Sequence, residues 1–151
     1  TAKTNAIEVF QLFNRRYHNS DLVPTSAERI NELREKLAQK YFESAEFYSR
    51  TDQYKAAIIY YDLVIDRYPE SKWAETALLS KIDTFINYAD NSVLIKQVER
   101  YNEAIATYET FVQLFPQSDN RKVVEGLRDE AEKGIQSARK ALLEIENMQS
   151  N

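Results

Sequence analysis

Apolar and aromatic side chains recur along the chain at spacings that place them on one face of a helix. Residues 6–20 read AIEVFQLFNRRYHNS, residues 57–71 read AIIYYDLVIDRYPES and residues 104–118 read AIATYETFVQLFPQS. In each copy an Ala-Ile pair is followed by aromatic residues four and eleven positions after the alanine. These offsets follow the period of an α-helix. Three copies of one helical pattern predict a repeat protein.

The end of each copy predicts a sharp stop followed by a new helix. Pro69 and Pro116 follow the second aromatic residue in two copies, and His18 takes that place in the first. Proline removes a backbone donor and disfavours the helical conformation of the residue before it. A serine comes two positions later, where it is expected to cap the next helix. These serines are Ser20, Ser71 and Ser118.

The segments between these stops predict long helices. Residues 26–50 contain no Gly or Pro and can form one helix of about seven turns. We also expect helices over about 3–18, 73–89, 93–115 and 120–147. The last helix has a narrow apolar stripe with charged residues elsewhere, which is typical of a helix that closes a solenoid. The stripe consists of Leu127, Ala131, Ile135, Ala138, Leu142 and Ile145.

The composition agrees with an all-α protein. Only two glycines and three prolines occur in 151 residues, which is too few for a fold with many tight turns. The net charge of −4 argues against nucleic-acid binding. The absence of cysteine rules out disulfides and thiolate metal sites in this sequence. No apolar run here reaches the length of a membrane-spanning helix.

The chain carries no pattern that indicates catalysis. His18, the single histidine, has no neighbouring residues suited to general-base or metal chemistry. No phosphate-binding loop or zinc-protease motif appears. The carboxylates alternate with Lys and Arg, as in residues 28–40, which is typical of a solvated helix face. We therefore expect a protein that is not an enzyme and has neither cofactor nor metal.

The middle copy carries a family resemblance. Ala45, Tyr48, Ala57, Tyr61 and Pro69 resemble the tetratricopeptide (TPR) pattern, although the copies are spaced by 51 and 47 residues rather than the usual ~34. The longer stretch KYFESAEFYSRTDQYKAAIIYYDLVIDRYPESKWAETAL resembles the BamD (YfiO) family of TPR lipoproteins. The fold class implied is an all-α, TPR-like helical-hairpin solenoid with long helices and a C-terminal capping helix.

The resemblance also implies an organisation and a function. The chain would be one solenoid with a partial repeat (1–20), two repeats (25–71 and 72–118) and a capping helix (119–147), and further repeats would lie upstream. Such proteins are periplasmic scaffolds at the outer membrane, held by a lipidated N-terminal Cys that this sequence lacks. Expected partners are the POTRA domains of a BamA-like barrel subunit, other assembly subunits and unfolded outer-membrane proteins. Two alternatives stay open, namely a bacterial TPR adaptor for envelope or pilus assembly and a helical regulatory domain of a larger protein.

One candidate site lies beside the repeat positions of the helix over 26–50. Phe42, Glu46, Ser49 and Arg50 are placed about 100° around that helix from the repeat stripe. That side lines the concave groove of TPR solenoids, where partners bind. An aromatic anchor with an acid and an arginine is suited to recognition by a protein partner. The alternative is that a neighbouring repeat covers Phe42.

Two further aromatic residues are candidates for partner contacts. Tyr60 belongs to a second apolar arc on the middle copy, with Ile59 and Leu63. This arc is expected either to be buried by a second neighbour or to form a docking patch. Trp73 is expected to pack on Tyr68 as a hydrophobic staple, with a surface anchor as the alternative.

Overall fold

In the part of the chain that it describes, the computed structural model contains six helices. It describes residues 2–16 and 23–151, with the side chains of residues 5–12 and 25–151. Within these residues every regular element is a helix, which confirms the all-α prediction. The helices are α1 (Ala2–Arg16), α2 (Val23–Arg50), α3 (Tyr54–Arg67), α4 (Trp73–Asp90), α5 (Leu94–Leu114) and α6 (Arg121–Ser150).

The Tyr68-Pro69 and Phe115-Pro116 sequences end helices as expected. Tyr68 and Phe115 leave the helical conformation, with φ of −130° and −129°. Their backbone N–H groups still donate to the carbonyls of Val64 and Phe111. The following proline then prevents continuation of the helix. The division into repeats that these stops suggest stays a prediction.

The turn after α2 is a Schellman motif centred on Asp52. Its φ of 60° places it in the left-handed region. The N–H of Gln53 donates to the carbonyl of Tyr48 over 2.8 Å, and that of Asp52 donates to Ser49 over 3.2 Å. This pair of bonds satisfies carbonyls at the helix end and reverses the chain within three residues. α3 therefore folds back directly onto α2.

The helix with the most neighbours is α4, not α3. Among the described residues, α3 packs against α2 and α4, whereas α4 packs against α2, α3, α5 and α6. The sequence left two outcomes open for the second apolar arc of α3, burial by a second neighbour or exposure as a docking patch, and the structure divides the arc between them. Ile59 is 60% exposed, while Tyr60 and Leu63 are partly buried. The first helix of a hairpin contacts both its own partner and the preceding hairpin, so it is the more buried one.

Two hydrophobic clusters meet on opposite faces of α4. One is built from α1 to α4 and contains Ile7, Leu37, Tyr61 and Val64, with Ala77 contributed by α4. The other is built from α4, α5 and α6. Its fully or largely buried members include Leu78, Ile82, Phe85, Tyr108, Phe111, Val124 and Ile135. α4 thus joins the successive hairpins into one packed array.

Carboxylates from distant helices hold the turns that follow Pro69 and Pro116. Ser71 does not cap α4, because its hydroxyl makes no hydrogen bond to a described group. Instead, Glu35 of α2 accepts the backbone N–H of Lys72 at the start of α4, over 3.1 Å. One hairpin later, Glu75 of α4 accepts a hydrogen bond from Ser118. Both glutamates stand fifteen residues before the last residue of their helix. The hydrogen bond from a helix to the turn two helices later therefore occurs at the same position in both hairpins.

Candidate partner-binding site

The sides of α2 and α4 form a polar seam on the face where the first helices of successive hairpins lie side by side. The hydroxyls of Ser49 in α2 and Thr84 in α4 lie 3.2 Å apart and share a hydrogen bond. Thr84 is fully buried, and Ser49 is half-buried. This bond fixes the relative position of the two helices. We call the surface around it the α2–α4 seam, formed by Glu46, Ser49, Arg50, Asp83, Thr84 and Asn87.

Glu46 is held in place by the core. Its carboxylate accepts a hydrogen bond from the hydroxyl of Tyr61, over 3.0 Å. Burial raises the pKa of Tyr61, and the negative charge of Glu46 raises it further. Tyr61 therefore stays protonated at neutral pH and remains a donor. One edge of the Glu46 carboxylate is thus anchored while the residue stays partly exposed.

Asp83 gives the seam a second negative charge. Partial burial raises its pKa, a hydrogen bond from Asn87 lowers it, and the charges of Glu46 and Asp90 raise it again. The amide of Asn87 lies 3.4 Å from the carboxylate. The negative charges of Glu46 and Asp90 therefore both act on Asp83. Such a cluster favours the approach of a cationic group.

The exposed aromatic residue at this end of α2 is Phe47, whose ring packs edge-on against Tyr48 and which the sequence did not single out. Phe47 is 52% exposed, and Glu43 and Arg50 share its side of α2. Phe47 stands about 100° around the helix from Glu46 and away from the repeat stripe. This helical position is the feature of the sequence from which its exposure could have been predicted. Asp83 was also missed, because only the contact with α2 brings it beside Glu46.

Phe42 lies in the core, and the partly buried ring of Trp73 packs against it. Phe42 is 9% exposed, with its ring centre 5.1 Å from that of Trp73 and 6.0 Å from that of Tyr61. The expected surface anchor at Phe42 is therefore corrected to a core residue covered by the next hairpin. The ring neighbour of Trp73 is Phe42, where the sequence predicted Tyr68. Lys72 lies over the outer face of the Trp73 ring.

The remaining candidates are not brought to the seam. The ring of Tyr60 stacks on that of Tyr48, 5.3 Å away, within the α2–α3 hairpin. His18 lies outside the described residues. The structure therefore unites three of the six predicted site residues, Glu46, Ser49 and Arg50. Their role in binding a partner stays a prediction.

The chemistry of the seam suits binding. Within residues 2–16 and 23–151, no group of three or more His, Cys, Asp or Glu side chains could hold a metal ion. The helices in the same ranges include none that could cross a membrane. The seam offers the carboxylates of Glu46 and Asp83 and the guanidinium of Arg50. These groups can pair with charged and polar side chains of another protein.

Comparison with known families places this fold in a group of envelope proteins. The model of the family described as YfiO, outer membrane lipoprotein, matches residues 1–100. The match includes the whole α2–α4 seam and ends within α5. A search of curated proteins found no significant match. Because the family model covers about two thirds of the sequence, this chain belongs to the YfiO family of outer membrane lipoproteins.

Proposed function

We propose that the chain is a non-enzymatic scaffold that binds the POTRA-containing subunit of the outer-membrane β-barrel assembly machinery. It would act on the periplasmic face of the outer membrane. Membership of the YfiO family supports an assembly lipoprotein in general. The observation that carries the proposed docking site is the α2–α4 seam, where the carboxylates of Glu46 and Asp83 lie beside the Ser49–Thr84 hydrogen bond.

The physical basis of the proposal is preorganisation. Tyr61 and Thr84 lock Glu46 and Ser49 from below, so little side-chain freedom is lost when a partner docks. Because the described part of the seam carries more acids than bases, the complementary surface on the partner would present Lys or Arg. Electrostatic complementarity of this kind fixes orientation and accelerates association.

The test is a measurement of binding between the intact chain and purified POTRA domains from the same organism. Reversing the charge at the seam with Asp83→Lys should weaken binding about tenfold, because one attraction becomes a repulsion. Asp66→Lys makes the same change on the exposed side of α3 and is the matched control. It should leave affinity unchanged.

Two results would count against the proposal. Failure of the unmodified chain to bind any POTRA domain would remove this partner. Equal affinity of the Asp83→Lys and Asp66→Lys variants would instead remove the seam as the docking site. Circular dichroism of both variants checks that the helices are intact, so that a loss of binding reports on the surface.

A further inference from the structure

The last part of α6 extends beyond the helix on which it packs. Arg128 lies over the ring of Tyr108, and Gly134 lies under the ring of Tyr101. These pairs show that α5 and α6 run antiparallel, so the start of α5 lies level with about Ala141. α6 continues to Ser150, which is about 13 Å further at 1.5 Å per residue. The end of α6 therefore has no described helix beside it.

This overhang keeps an apolar character. Every residue from Leu143 to Asn151 is exposed, and Leu143 is itself 58% exposed. A shallow groove on one flank of the helix is lined by Arg139, Leu142, Leu143 and Glu146. No described residue forms an ion pair with Arg139 or Glu146. The groove thus presents two leucines between one cation and one anion that lack partners among the described residues.

The order of these charges makes the segment complementary to itself. The basic side chain precedes the leucines and the acidic one follows them, at equal distances from their midpoint. Because the groove carries one basic and one acidic side chain, it does not favour a partner of high net charge. A second α6 running in the opposite direction supplies the complement: its leucines meet Leu142 and Leu143, its acid faces Arg139 and its base faces Glu146. Charges at the edges of helix pairs set orientation in the same way.

We propose that this groove binds a second copy of the chain, with the two α6 helices antiparallel and centred between Leu142 and Leu143. The surface lies outside the part of the chain matched by the family model, which ends at residue 100. It also lies on a different helix from the α2–α4 seam. Self-association and partner binding are therefore separate properties that can be tested separately.

The test is sedimentation equilibrium of the intact chain and its charge-reversed variants. The wild type should show a reversible monomer–dimer equilibrium. Arg139→Glu and Glu146→Arg should each weaken the dimer about tenfold or more, because both cross-pairs become repulsive. An equimolar mixture of these two variants should associate as well as the wild type, since every cross-pair is then attractive. The double variant Arg139→Glu/Glu146→Arg should also recover.

Controls separate this interface from other causes of association. Lys122→Glu changes an exposed charge near the opposite end of α6 and should leave the dimer unchanged. Leu143→Asp should abolish it, and circular dichroism should show unchanged helicity in every variant. A wild type that is monomeric throughout the concentration range would overturn the proposal. So would a mixture of the two single variants that associates no better than either variant alone.

Discussion

The ring of Tyr101 lies directly on the backbone of Gly134. A Cβ atom at residue 134 would overlap several atoms of that ring. Tyr101 is buried, and its hydroxyl donates to Asp90, so the ring is held from both ends. A glycine in a helix interior normally reduces stability. Here it allows α5 and α6 to approach closely, which positions the whole of α6.

Gly134→Ala should destabilise the protein by about 1–3 kcal/mol, because the overlap with Tyr101 outweighs the gain in helix propensity. Gly126→Ala is the matched control, since it lies in the same helix and an added methyl group there would meet no atom within 4 Å. That change should stabilise the protein by about 0.5–1 kcal/mol. Urea unfolding measures both values. Equal effects of the two substitutions would show that the close approach does not matter.

Asp52 allows a second test of backbone conformation. At its φ of 60° a side chain is disfavoured, so Asp52→Gly should be more stable than Asp52→Ala by about 1 kcal/mol. Both variants lose the hydrogen bond from the hydroxyl of Tyr54. Their difference therefore isolates the backbone contribution, and thermal unfolding measures it. A more stable alanine variant would contradict the left-handed turn.

The sequence predicted the helices well, because proline stops and a helical period are local signals. The ends of α3 and α5 at Tyr68-Pro69 and Phe115-Pro116 are examples. What it predicted poorly depends on which helices become neighbours. The apolar composition of α3 did not show which residues of its second arc would be covered, since burial on a second side is decided by the stacking of hairpins.

The candidate site was also predicted only where local helical geometry is sufficient. Glu46, Ser49 and Arg50 were located from helical geometry alone. The sequence favoured Phe42 over Phe47 as an exposed ring, because only the packing of Trp73 on Phe42 shows which ring is covered. The partner of the Lys72 N–H was also beyond local reasoning, since Glu35 lies in another helix.

Glu35 should contribute measurably to stability through its bond to the start of α4. Glu35→Ala removes the acceptor of the Lys72 N–H and should cost about 1–2 kcal/mol, as loss of a helix cap does. Glu32→Ala, on the exposed side of the same helix, loses only a surface pair with Lys36 and should cost about 0.3–0.5 kcal/mol. Urea unfolding compares them, and similar costs would argue against a capping role.

Two buried tyrosines should make the fold sensitive to alkali. Burial raises the pKa of Tyr61 and of Tyr101 above the value of about 10 for an unfolded chain. Below pH 10 both states keep these protons and stability is unaffected. Above it the unfolded chain releases them first, so each tyrosine lowers stability by up to about 1.4 kcal/mol per pH unit. Tyr61→Phe/Tyr101→Phe should flatten the measured dependence between about pH 10 and 12, and an unchanged slope would contradict this.

Asp83 should contribute to binding at the expense of stability. Burial and the nearby charges of Glu46 and Asp90 raise its pKa, so the ionised carboxylate is less favourable in the folded state. This destabilisation is absent below the unfolded pKa of about 3.9 and grows as pH rises through the higher folded pKa. At neutral pH, Asp83→Asn should therefore raise the unfolding midpoint by about 1–2 °C after allowance for solvent screening.

The same substitution should weaken binding of POTRA domains severalfold, because the seam loses one of its charges. Asp66→Asn makes an identical chemical change on α3 and should alter neither the midpoint nor the affinity. Calorimetry of unfolding and of binding, applied to both variants, separates the two effects. If Asp83 only supported the fold, replacing it would lower the stability of the protein. A gain in stability together with a loss of affinity at Asp83 alone would therefore identify the seam as a surface maintained for a partner, and a loss of both would refute that assignment.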